Sequence, residues 1–160
     1  MNFFLLNVIL AFAWAALNGA LTIPNFTGGY VIGYVMLFIS RDALGGSQYV
    51  MKVQQVVRFL LYFLWQLIQS NVRVASEVLT PGHNMTPAII AVPLDLKSEI
   101  GILLLANVIT LTPGTLSLDV SVDQNVLFVH TMYTTDAEAF RQEIKQGFEK
   151  RIRELFNESD

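Results

Sequence analysis

Residues Met1 to Ser40, MNFFLLNVILAFAWAALNGALTIPNFTGGYVIGYVMLFIS, contain no Lys, Arg, Asp, Glu or His. All ten Lys/Arg and all thirteen Asp/Glu follow, beginning with Arg41 and Asp42. A chain of 160 residues is too small to hide forty uncharged, mostly apolar residues inside a soluble core. Lipid is the cheaper environment, so the opening stretch is predicted to lie in a membrane. It lacks a positively charged start, and a second apolar run follows Pro24, so it reads as retained membrane segments and not as a cleaved signal.

Within it, Phe3 to Ile23 is an apolar run of about 31 Å as a helix, enough for a hydrocarbon core of about 30 Å. Pro24 and Asn25 are expected to end it. A second segment, 26–40, is about 22 Å as a helix and short for a full span. Gly29 and Gly33, and the series Ala11, Ala15 and Gly19, are small-residue repeats that let helices approach closely. Asn7 and Asn18 share a helical face, so both are candidates for polar adhesion to another membrane helix.

The third segment, 48–79, is different in kind. As a helix it would exceed the bilayer core. Lys52, Gln55, Gln66, Gln69, Arg73 and Ser76 recur at helical spacing, while Phe59, Leu60, Phe63, Leu64, Leu67 and Ile68 supply an apolar side. It is either a tilted transmembrane helix or an amphipathic helix along the interface or a partner. Arg41, Lys52, Arg58 and Arg73 flank both of its ends, which favours a two-helix hairpin crossing with the third helix flat on the cytoplasmic side.

The membrane helices thus occupy 1–79, and Thr80 to Pro87, with two prolines and a glycine, is a linker. Residues 88–160 carry the periodicities of a small water-facing α+β domain. Ala88 to Leu94 is a buried-type strand, and Ser98 to Thr110 a mostly buried helix. Leu116, Leu118, Val120 and Val122 alternate with Ser117, Asp119 and Ser121, predicting a strand with the aliphatic face inward. Asp123-Gln-Asn125 turns it into a further strand, Val126 to Tyr133. The last helix is predicted to be capped by Thr135 and Glu138, with Ala137, Phe140, Ile144, Phe148, Ile152 and Leu155 as its stripe. The order β-α-β-β-α implies a right-handed crossover joined to a hairpin, a three-stranded sheet with helices on one face.

Net charge −3 gives no footprint for nucleic acid, and the absence of cysteine excludes disulfides and Cys-based metal sites. Phosphate-loop, dinucleotide and nucleophile-elbow motifs are missing, so neither an enzyme nor a cofactor site is expected. Ion relays need ionisable groups in the membrane, and the first two segments have none. Arg58 is the best candidate in the third, but Gln54 and Gln55 beside it point to an interfacial face. His83 in the linker and His130 in mid-strand make no metal site; His130 reads as a half-buried sheet histidine. In Leu111 to Asp119, Pro113-Gly114 forces a tight turn, with Thr112 and Thr115 placed to bond exposed backbone ends.

The stretch Leu103 to Val120, LLLANVITLTPGTLSLDV, strongly resembles the signature of the E subunit of Mrp-type multisubunit Na+/H+ antiporters. The uncharged hairpin and short C-terminal α/β portion resemble that family as well. The resemblance implies a place in a cell-membrane complex exchanging cytoplasmic sodium for external protons, whose large subunits carry the ion paths. It implies an accessory subunit, with partners among the other subunits and the lipid bilayer. It also implies that Asn107, Thr110, Thr112, Pro113, Gly114, Thr115 and Asp119 are motif positions with a structural or subunit-contact role. The competing readings are a membrane-anchored cytoplasmic binding or sensing domain, and the equivalent subunit of a membrane-bound hydrogenase-type complex.

Overall fold

The computed structural model describes residues 2–41, 47–80 and 85–158. His83 and half of the predicted linker, residues 81–84, lie outside the described residues. The chain divides into two compact units, Met1–Gln54 and Gln55–Asp160. The division falls inside a long helix and not in the Thr80–Pro87 segment.

Helix α1 spans Phe3–Leu17 and α2 Ile23–Ile39. The apolar run is therefore cut earlier than its composition suggests. Asn18 caps α1 by donating its side-chain amide to the Trp14 carbonyl at 2.8 Å, and Gly19 takes φ +70° to turn the chain. Thr22 then caps α2, its hydroxyl oxygen accepting from the Asn25 amide at 3.4 Å. Pro24 sits in the first turn of α2, where the missing N–H has no partner to lose, so it opens the second helix and does not close the first. At 15 and 17 residues, α1 and α2 are about 22 and 25 Å long. Among the described residues, no helix is long and apolar enough to cross a membrane.

Helix α3 runs from Ser47 to Leu79. In the second unit it is followed by β1 (Ala88–Pro93), α4 (Glu99–Leu111), β2 (Thr115–Val120) and β3 (Val126–Thr131). Helix α5 (Ala137–Ile144) continues through a π-helical turn, Lys145–Glu149, into α6 (Lys150–Phe156). The sheet order is β1-β3-β2, and β3 is antiparallel to both neighbours. The two strands joined through α4 are therefore parallel to each other but separated by β3, so both pairings within the sheet are antiparallel. Ile90, Val92, Leu127 and Val129 point to one face and form the core with Leu105, Val108 and Ile109 of α4 and Ile144, Phe148 and Ile152 beyond. Phe59 of α3 belongs to the same core, and the rings of Tyr62 and Phe148 meet edge to face at 5.1 Å.

Two features of this unit differ from the reading of the sequence. Asp136, not Thr135, caps α5; its carboxylate accepts from the amides of Glu138 and Ala139, while the Glu138 carboxylate turns to Arg141 at 3.0 Å. Strand β2 also presents the opposite face. Leu116 and Leu118 are 44% and 46% exposed, and Ser117 turns toward α4. A bulge between Ser117 and Asp119 breaks the alternation and returns Val120 to the core side.

The π turn adds one residue to the last helix and brings Gly147, Phe148 and Glu149 inward in succession. A side chain at Gly147 would collide with the Tyr62 hydroxyl, so glycine lets α3 lie directly on the turn.

Candidate functional site

The motif segment closes the C-terminus of α4. A helix end leaves carbonyls without partners, and here threonines supply the donors. Thr112 Oγ1 donates to the Val108 carbonyl at 2.8 Å, and Thr115 Oγ1 reaches those of Ile109 (2.7 Å) and Thr112 (2.9 Å). Gly114 adopts φ +91° against the Tyr133 ring, and its carbonyl accepts from the Met132 amide at 2.9 Å. Thr110 Oγ1 accepts from the Ser117 amide at 3.2 Å, and Ser117 Oγ donates to the Ala106 carbonyl at 3.0 Å. These bonds hold β2 down on α4. They also explain the inverted face: Ser117 is drawn inward by its helix partners, which sends Leu116 and Leu118 outward.

Pro113 is half-buried in the same turn. Asn107 and Asp119 are exposed and bonded only locally, the first to the Leu103 carbonyl (2.7 Å), the second to the Val120 amide (2.8 Å). Two small cavities, of about 60 and 70 Å³, adjoin the turn and share Gln66, Thr112, Thr115, Phe140 and Glu143 as walls. The one reaching Gln69, Ser70 and Arg73 is polar enough to suit a few ordered waters, while the one reaching Ile109, Ile144 and Phe148 is mostly apolar. Among the described residues no group of three or more His, Cys, Asp or Glu could hold a metal ion. His130 is half-buried on the free face of the sheet, opposite Ile89 and Leu116, with no acid or nucleophile in register with it. Arg58 is exposed on α3.

The first unit carries a second arrangement. Gly29 lies against Trp14 and the Ala11 backbone, where an added Cβ would come within 2.7 Å of Trp14 Cβ. Gly33 lies against Asn7 Oδ1 and Leu10. Asn7 is fully buried and its amide donates to the Tyr49 hydroxyl at 2.9 Å, which is 3.1 Å from that of Tyr30. Asn18 is not part of this cluster; it is exposed and serves as the C-cap of α1. Tyr49 was not singled out by its sequence context, because an isolated tyrosine at the start of an amphipathic helix carries no local pattern.

The model of the Na+/H+ ion antiporter subunit family matches residues 7–155. The chain belongs to this family. It is similar to the E subunit of the Na+/H+ antiporter of Bacillus subtilis, 37% identical over 94% of this chain and 96% of that protein. It is likewise similar to the E subunit of the Na+/H+ antiporter of Alkalihalophilus pseudofirmus, 35% identical over 94% and 96%. Its fold resembles that of a chain in the membrane-bound sulfane sulfur reductase, an archaeal respiratory membrane complex. There the TM-score is 0.56 and identity 26%, with 96% of this chain and 98% of that one covered. In this antiporter-subunit fold the sequence signature coincides with the end of α4, the turn after it and β2.

Proposed function

We propose that this chain is an accessory subunit of a multisubunit Na+/H+ antiporter in the cell membrane, one that supports sodium efflux without carrying the ion path. The observation that carries the reading is family membership across nearly the whole chain, joined to an apolar hairpin with no Lys, Arg, Asp, Glu or His. The α1–α2 hairpin lies in the bilayer, at the cost of local thinning or partner helices around two short elements. The second unit faces the cytoplasm, in keeping with the basic residues Arg41, Lys52 and Arg58 that follow the hairpin. The exposed motif residues Asn107 and Asp119, and the aliphatic sheet face carrying Leu116 and Leu118, are its subunit contacts.

Deletion of the gene should abolish sodium-dependent proton movement in membrane vesicles from its host, and the full chain should restore it. Purified and reconstituted alone, the chain should exchange nothing; sodium-driven proton flux from it would overturn the reading. A second reading, the corresponding subunit of a respiratory membrane complex, draws on the likeness to the sulfane sulfur reductase chain. Co-purification from native membranes separates the two by the partners recovered.

A further inference from the structure

Between Gln55 and Leu79, helix α3 has two unlike sides. Phe59, Tyr62, Phe63 and Gln66 face the core of the second unit and its small cavities. On the opposite side Val57, Leu60, Leu61, Leu64, Trp65, Ile68, Val72, Val78 and Leu79 are all exposed. At 3.6 residues per turn these form one continuous stripe, in which Asn71 is the polar interruption. Its shoulder is basic. Arg58, Tyr62, Gln69 and Arg73 follow one another at helical spacing, and the Arg151 guanidinium lies over the Tyr62 ring, 3.8 Å from its centre. Arg73 is exposed over the Tyr133 ring at 6.0 Å. The acids nearest these groups are Glu143, in the wall of the cavity that Arg73 also lines, and Glu77, one helical turn beyond Arg73.

We infer that this face of α3 lies in the plane of the membrane interface, its aliphatic stripe and Trp65 among the acyl chains and the Arg58–Arg151–Arg73 row on anionic lipid headgroups. A spanning helix would draw the domain packed on its other side, with Glu143, Lys145 and Arg151, into the hydrocarbon. An amphipathic stripe with an indole and a mainly basic shoulder suits an anionic lipid surface. A partner helix in lipid would call instead for small residues at the contact, and the exposed stripe is built of large ones. The inference concerns the second unit alone and stands whether or not the chain takes part in antiport.

The test uses the full chain carrying Trp14→Phe, which leaves Trp65 as the sole indole, in vesicles of phosphatidylcholine with or without phosphatidylglycerol. Lipids brominated near the carbonyl or near the bilayer centre report depth by quenching. Trp65 should be quenched by the shallow label more than the deep one, and more strongly when phosphatidylglycerol is present. Arg58→Gln, at an exposed position, should lower the docking equilibrium by about fivefold in the anionic vesicles and hardly at all in the neutral ones. Stronger quenching by the deep label would mean a spanning helix. An indole that no lipid label reaches would mean water or a protein on this face. Quenching indifferent to phosphatidylglycerol would remove the headgroup contact. Any of the three overturns the inference.

Discussion

Glu149 is a carboxylate only 1% exposed, and its removal is the most demanding test of how the second unit is held together. Its Oε1 accepts from the backbone amides of Asp95 (2.6 Å) and Leu96 (3.2 Å), pinning the segment between β1 and α4 to the π turn 53 residues later. Its Oε2 faces the Lys145 ammonium at 3.5 Å, and Lys145 also pairs with Asp95 at 2.7 Å. In Glu149→Ala, the amide of Asp95, an exposed residue in a part-buried bond, regains water, whereas the Leu96 amide stays buried without an acceptor. Lys145 keeps Asp95. One lost charge-assisted bond of about 2 kcal/mol, plus an unsatisfied amide at about 1–2 kcal/mol, predicts about 3–4 kcal/mol of destabilisation. At about 4 °C per kcal/mol for a unit of this size, the melting temperature should fall by roughly 12–16 °C. Glu149→Gln keeps a carbonyl for the two amides and should cost about half as much. Thermal unfolding of the full chain in mild detergent, read with hydrogen exchange at Leu96, measures both. An alanine variant within about 1 kcal/mol of the parent, or no faster exchange at Leu96, refutes the reasoning.

Gly29→Ala places a methyl against Trp14 and the Ala11 carbonyl, so α1 and α2 must separate; about 1–3 kcal/mol of hairpin stability should be lost, visible as a lower yield of assembled complex on native gels. Gly114→Ala combines a positive φ with a collision against the Tyr133 ring and should destabilise the second unit by about 2 kcal/mol or more in the same melts. Asn107→Ala and Asp119→Ala remove only local bonds, so they should leave melting unchanged while weakening recovery of partner subunits on affinity purification. Hydrogen bonds from Arg141 and Gln142 hold the Glu138 carboxyl below its usual range. A depressed folded-state value stabilises above the unfolded pKa and is lost as pH falls through the folded one, so Glu138→Gln should flatten the acid side of the stability profile.

Much of the architecture is legible in one dimension because it rests on periodicity and charge. The uncharged opening, the long amphipathic helix and the β-α-β-β-α order are set by which residues tolerate water and at what spacing. Helix ends are less legible. Leu21 and Ile23 look like a continuation of α1, yet Asn18 and Gly19 satisfy the end of the helix sooner, and Pro24 suits the start of a helix as well as its end. The facing of β2 was unreadable for a different reason. Alternation reports that a strand has two faces, but Ser117 finds partners for its amide and hydroxyl in α4, and those bonds outweigh the burial of two leucines on an edge strand.

From composition and spacing alone came the membrane character and the signature turn Thr112 to Thr115, since both depend on residue type and short-range geometry. Only the tertiary structure decided that Asn7 meets Tyr49, that Gly147 makes room for Tyr62, and that Glu149 serves the amides of Asp95 and Leu96. Those pairings join residues 42 to 85 positions apart, and no local pattern encodes a partner that folding alone brings near.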